Sequence, residues 1–335
     1  MIERCREGSG PVPRLTPNLF GIPFGLCGLA GCWSAAHLQG AEPAWPGYLI
    51  WILAAIVWLV VLAFYGRDLV TSGRWRTELS DPTFGPFVAL ATIVLMSLGT
   101  ELGNHAHTAG EVFFGIGLVG TLLIGGWLTG QWILDDGRLA QWHPGYFLPT
   151  AAGGLLASIG ASSLGWFRIG EVMFGFGIVC WLVLGSILLL RLFTEPTLPT
   201  ALLPTMAIEI APPVVASLAW FGLNGAQEDA VVLGLGGYAL LMALVQLRLI
   251  PIYRTVPFGI SWWAFSFSYA VVFLLAIRWL TVTNPDGGRA WTGVLLAVVT
   301  LAMVALAVRT VMGLANGTFL PKAAPPGSTP AEPAA

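Results

Sequence analysis

Apolar residues run along this chain in blocks far longer than a soluble core uses. A membrane-spanning helix needs about 20 mainly apolar residues. Ten such blocks occur, at approximately 18–38, 45–65, 84–103, 110–133, 146–166, 171–193, 199–220, 229–250, 257–280 and 290–315, and they predict ten membrane helices, numbered here 1 to 10. The polar stretches between them are short. The longest, 66–83, reads GRDLVTSGRWRTELSDPT, so no soluble domain fits between helices. The opening MIERCREGSGPVPR is polar and loop-like, and the first apolar block is read as a helix rather than a cleaved leader. The closing PKAAPPGSTPAEPAA is rich in Pro and Ala and reads as disordered. The expected division is an N-terminal tail over 1–16, a ten-helix transmembrane unit over 17–317 and a C-terminal tail over 318–335.

Proline placement adds a second pattern. A proline inside a helix removes a backbone hydrogen bond and kinks it. A membrane helix tolerates that only where protein or a water-lined cavity satisfies the freed groups. Pro23, Pro149, Pro204, Pro212 and Pro213 lie inside helices 1, 5 and 7, whereas the even-numbered helices have none beyond Pro46 in a first turn. Helices 3 and 9 hold only the early Pro86 and Pro257. The simplest architecture is all-α, with five helical hairpins around a central pore, odd helices inside and even helices outside. Chance scatter of a few prolines in a Pro-rich chain is the competing account.

Composition and charge narrow the class. Of 335 residues, 56% are hydrophobic and 10% charged, against about 25% charged in a soluble domain. A net charge of −2 gives no electrostatic case for a nucleic-acid partner. Basic residues orient membrane helices. With the N-terminus in the cytoplasm, Arg4, Arg6, Arg14, Arg67, Arg74, Arg76, Arg138, Arg191, Arg248, Arg254, Arg309 and Lys322 fall inside, and only Arg168, Arg278 and Arg289 outside. A multi-pass plasma-membrane protein with both termini cytoplasmic follows. Arg278, near the outer end of helix 9, can snorkel outward.

Chemistry-bearing clusters are scarce. Cys5, Cys27, Cys32 and Cys180 show no metal or redox spacing. His105 and His107 form HAH in a loop without further ligands, so no metal and no cofactor are expected. No Ser/His/Asp set and no paired carboxylates occur within the membrane blocks, so an enzyme is not expected. His143, beside Trp142, reads as an interfacial anchor. Asp135 and Asp136 read as solvated.

The stretch WWAFSFSYA, Trp262–Ala270, places Phe265 and Phe267 two residues apart on helix 9. Such residues point about 200° from each other on an α-helix, so the two rings cannot share a face. Within this stretch WAFSFSYA (Trp263–Ala270) is one of six blocks that resemble the tellurite-resistance/dicarboxylate-transporter family, which includes the plant slow-type anion channels. The others are NLFGIPFGLCGLAGCW (Asn18–Trp33), HPGYFLP (His143–Pro149), FGFGIVCW (Phe174–Trp181), IEIAPPVVA (Ile208–Ala216) and GGYALLMALVQLRLIP (Gly236–Pro251). The resemblance implies ten helices with pseudo-five-fold symmetry, one pore per subunit lined by odd helices, homotrimers, and a phenylalanine plug on helix 9. The matching position is Phe267, with Phe265 packing among helices. A ring at a constriction blocks ions by narrowing and drying the path.

The function expected is a gated channel in the bacterial inner membrane for small anions such as chloride or nitrate. The alternative is a proton-linked carrier of dicarboxylates or tellurite-like oxyanions. Candidates for lining the pore are Gly21, Pro23, Gly25, Pro149, Gly153, Pro212, Ala264 and Val271. Gly21, Gly25, Gly153 and Gly154 either let backbone approach the lumen or simply allow close helix packing. Glu209 lies about 15 Å into helix 7, where a charge costs at least about 2.5 kcal/mol. Thr205, Glu209, Pro212 and Ala216 read as one face, a candidate for the lumen. Glu209 is thus a candidate proton or charge site: protonated, paired with Arg248 or Arg254, or packed with a buried hydrogen bond.

Overall fold

The computed structural model describes residues 15–134 and 137–320. The expectations for Arg4, Cys5, Arg6, Arg14, Asp135, Asp136, Lys322 and the closing tail fall outside the described residues. The chain folds into α1 (Pro17–Leu38), α2 (Trp45–Ser72), α3 (Gly85–Gly103), α4 (His107–Leu134), α5 (144–163), α6 (Phe167–Thr194), α7 (Thr200–Leu223), α8 (Ala230–Tyr253), α9 (Ile260–Thr283) and α10 (Gly288–Ala315). Among the described residues nine of these, all but α5, are long and apolar enough to cross a membrane. The expected count of ten is therefore not met by that measure. α5 is an unbroken run of mixed helix: a 3₁₀ turn (Pro144–Phe147), a π turn (Leu148–Ala152) and an α-helix (Gly153–Ser163). Pro144, Pro149 and its glycines dilute the apolar content.

Burial separates two sets of helices. In α1, α3, α7 and α9 between 44% and 89% of the apolar stretch is buried within the protein, and in α2, α4, α6, α8 and α10 only 11% to 28%. α5 is buried along nearly its whole length. Each odd helix packs on the even helix that follows it. The odd helices also pack on one another, α1 on α3, α3 on α5, α5 on α7, α7 on α9 and α9 back on α1. The inner ring is closed, and each outer helix turns an apolar face outward.

Every inner helix starts in a non-α form. Pro17–Phe20, Gly85–Ala89, Pro144–Phe147, Thr200–Ile210 and Ile260–Trp263 are 3₁₀ turns that pass into α-helix, through the π turn in α5. The outer helices are α-helical from their first residues. The proline alternation is a partial reading of this difference. One even helix departs from it: α8 reaches Tyr253 and holds Pro251 in its last turn. α2 also outruns the expected boundary, continuing to Ser72 before Gly73 closes it at φ 67°. That left-handed cap suits glycine.

Small residues set the spacing within hairpins. A side chain on Gly110 would collide with the backbone of Gly103, one on Gly99 with Phe114, and one on Gly117 would lie 2.7 Å from the Met96 nitrogen. These positions lock α3 onto α4. Apolar side chains gain little by leaving lipid for protein, so close backbone approach carries the association. Gly130 and Gly175, on outer helices, face open space. We expect Gly110→Ala to lower the melting temperature in detergent, by overpacking that costs about 1–3 kcal/mol. Gly130→Ala is expected to leave it unchanged or slightly raised. Equal behaviour of the two variants contradicts the packing account.

Candidate functional site

Because the inner helices are parallel, they all begin at the same end of the ring. There they enclose a cavity of about 470 Å³. It reaches the surface at Thr200, Ala201 and Pro257, which are exposed. Among the described residues its lining contains no Asp, Glu, Lys or Arg. The polar groups near its mouth are uncharged and include Thr16, Asn18, Thr83, Thr200 and Ser261. Deeper in, Leu90, Leu155 and Val215 make the wall apolar. The first N–H groups of each helix lack intrahelical partners, and each helix start carries roughly half a positive charge. The cavity is thus neutral in its side chains and positive in its backbone.

Two phenylalanines of the lining face each other. Phe267 of α9 and Phe24 of α1 stack with ring centroids 3.6 Å apart and planes 14° apart. Both line the cavity, and both are buried. Glycines make the contact possible. A side chain on Gly25 would collide with Ser266, and one on Gly28 would lie 2.9 Å from Ala270 Cβ and 3.2 Å from the Phe267 ring. The Cys32 thiol donates to the Ala270 carbonyl at 3.2 Å, holding the same two helices together one turn on. Phe265 points away, edge-on to Tyr253 and stacked with Tyr269.

Of the residues expected to line a pore, Gly21, Pro212, Ala264 and Phe267 line this cavity. Gly25, Gly153 and Gly154 do not. They face Ser266, Thr121 and Gly177 of neighbouring helices and act as packing glycines. Pro23 and Pro149 are also absent from the lining, and the Pro149 carbonyl lies against Gly125 of α4. Val271 is buried one turn past Phe267, outside the cavity. Phe24 was not anticipated. Its signal was available, since Gly21, Phe24 and Gly28 fall on one helical face beside the Pro23 kink.

Glu209 is buried but does not line the cavity. The segment 200–210 is 3₁₀ helix with three residues per turn, so Thr205, Ile208 and Ala211 take the lumenal positions. The expected face of Thr205, Glu209, Pro212 and Ala216 assumed an α-helical period. Among the described residues Glu209 Oε1 has no hydrogen-bond partner. Among the described residues no ion pair joins it to Arg248 or Arg254, both exposed. One turn away, the Met206 carbonyl accepts from Gln246 Nε2 at 3.0 Å. Gln246 Oε1 accepts from the Tyr253 and Tyr269 hydroxyls at 2.7 and 3.2 Å. A buried polar seam therefore runs between α7, α8 and α9.

No cluster of potential metal ligands occurs among the described residues. His105, in the turn after α3, lies 3.5 Å from Glu101 of α3, and His107 lies 3.5 Å from Glu111 on α4. Cys27 and Cys32 are buried packing residues.

The profile of the SLAC1 family, described as voltage-dependent anion channel, matches residues 14–311. A tellurite resistance protein TehA homolog of Haemophilus influenzae is 30% identical over 265 residues, covering 78% of this chain and 79% of the relative. The S-type anion channel SLAH3 of Arabidopsis thaliana is 26% identical over 313 residues, 88% of this chain but 48% of the relative, so this chain spans about half of that plant protein. An uncharacterized transporter of Methanocaldococcus jannaschii is 22% identical over 294 residues, 80% of this chain and 84% of the relative.

Outside the cavity lining, His143 departs from the expected interfacial anchor. It is wholly buried at the start of α5. Its Nδ1 accepts from the Gly145 N–H at 3.2 Å, its Nε2 faces the Pro82 carbonyl at 3.3 Å, and its ring stacks on Phe87. The ring thus ties α5 to the segment leading into α3. Burial pushes its pKa from an ordinary 6.5 down to about 4. A ring harder to protonate when folded gives its full stabilisation above about pH 6.5, and loses it as pH falls towards 4. Melting temperature is expected to drop across that window, and to drop less for His143→Gln. Identical pH profiles contradict the assignment.

Proposed function

The chain belongs to the SLAC1 voltage-dependent anion channel family, and from that premise we propose that it is a gated channel for small anions such as chloride or nitrate. The observation that carries the reading is the stacked pair of Phe24 and Phe267 in the cavity lining, to which we assign the closure of the path. An ion at that point must shed water against two aromatic faces and find no polar replacement. The attraction for anions comes from the helix starts around a cavity that has no charged side chain among the described residues. Dipoles of that kind draw an anion in without holding it as tightly as a fixed cation would.

An aromatic contact is worth about 0.5–1.5 kcal/mol beyond its burial. A rotation of one ring is thus a modest step, and the non-α helix starts beside it supply adjustable backbone. In this reading α5 crosses the membrane with the other nine helices, and residues 17–317 form one transport unit between cytoplasmic tails. The distribution of Lys and Arg supports that orientation. A trimeric assembly in the bacterial inner membrane rests on family resemblance alone.

The second reading, a proton-linked carrier of dicarboxylates or oxyanions, is favoured by one observation. Glu209 is a buried carboxyl group with an unpartnered oxygen on an inner helix. The two readings separate on whether flux responds to Glu209→Gln or to the aromatic pair.

Currents from reconstituted protein in chloride and nitrate gradients provide the test. Wild type is expected to pass little current. Phe267→Ala is expected to raise it about tenfold or more, equivalent to about 1.4 kcal/mol off the barrier, with reversal near the anion equilibrium potential. Phe24→Ala is expected to raise it less, because the Phe267 ring remains. No current from correctly inserted Phe267→Ala removes the gate assignment and leaves the carrier reading.

A further inference from the structure

The five inner helices contain a single Lys or Arg between them, Arg278 of α9. The helix is regular α from Ala264 to Thr283, so its register can be followed past the aromatic pair. Arg278 lies eleven residues beyond Phe267, about 16 Å further along and about 20° around the helix. Ala264, which lines the cavity, lies about 60° from Phe267 on the same side, and Val271 about 40°. Arg278 therefore falls in the middle of the lumenal arc.

Its neighbours mark the edges of that arc. Ile277 is fully buried in the core that α9 shares with α1 and α10. Trp279 meets Phe221 of α7 edge-on at 5.5 Å. Arg278 lies between these two contact faces and is partly exposed. Among the described residues it has no ion-pair partner. The acidic residue at the corresponding end of α3, Glu101, is engaged by Asn104 at 3.1 Å and His105 at 3.5 Å.

Electrostatics gives this position a task. All five inner helices end here, and each helix end carries roughly half a negative charge. The mouth that lies opposite the cavity would repel the ion that the cavity attracts. We propose that Arg278 forms an anion-binding site in that opposite mouth, taking small monovalent anions through its guanidinium and offsetting the helix ends. The site rests on the channel reading for its ligand class. It gives the outward-snorkelling Arg278 expected from the sequence a ligand to hold.

Phe267→Ala serves as the conducting parent for the test. Adding Arg278→Gln is expected to cut the unitary current several-fold, most for chloride or nitrate entering from the Arg278 side, and so to introduce rectification. Arg278→Glu is expected to cut it further and move the reversal potential away from the anion value. Arg278→Lys is expected to retain most of the current. A Gln variant with the parent's conductance and rectification overturns the site. If Phe267→Ala itself carries no anion current, the channel reading fails, and a binding measurement decides the site separately. Nitrate is expected to raise the melting temperature of otherwise wild-type protein, and to raise that of Arg278→Gln much less. Equal shifts overturn the proposal.

Discussion

Every backbone N–H and C=O placed in a membrane needs a partner inside the protein, because lipid offers none. The division into two rings follows from that constraint. The outer helices face lipid and are α-helical from their first residues. The inner helices are shielded by them and open with 3₁₀ or π turns beside a cavity. Backbone freedom is confined to the one place where neighbouring protein or water can satisfy the freed groups.

The same arrangement sets the electrostatics. Five hairpins make the inner helices parallel, so their starts gather at one mouth and their ends at the other. The chain supplies almost no charge to the ring itself, and Arg278 is its only basic residue. Polarity of the path is therefore a property of the fold. If the aromatic pair is the gate, as proposed, it can be wholly apolar, since it then has only to exclude water and not to choose the sign of the ion.

Much of the ring was legible in the sequence. Apolar blocks located nine helices cleanly, and α5 only approximately, because Pro144, Pro149 and its glycines lower its hydropathy. Prolines in helices 1, 5 and 7 pointed to the inner set. Phe267 followed from the WAFSF motif, whereas its partner Phe24 comes from the opposite end of the chain, and no local pattern announces such a contact. Glycine was ambiguous in principle: Gly21 lines the cavity while Gly25 and Gly153 pack against helices. Glu209 was misplaced because an α period was applied to a 3₁₀ segment. His143 was misread because its burial depends on Pro82 and Phe87, which precede it by some sixty residues.

The central claim is that two stacked rings separate the cavity from the rest of the path. Val271 lies one turn beyond Phe267 on α9, about 40° around the helix from it, and is buried. The most direct measurement is the rate at which a small water-soluble thiol reagent, applied from the cavity side, modifies Val271→Cys in protein whose native cysteines have been replaced. With both phenylalanines present the reaction is predicted to be very slow, and with Phe267→Ala added it is predicted to become fast. Equal rates in the two proteins would contradict the account, because the rings would then not be the barrier.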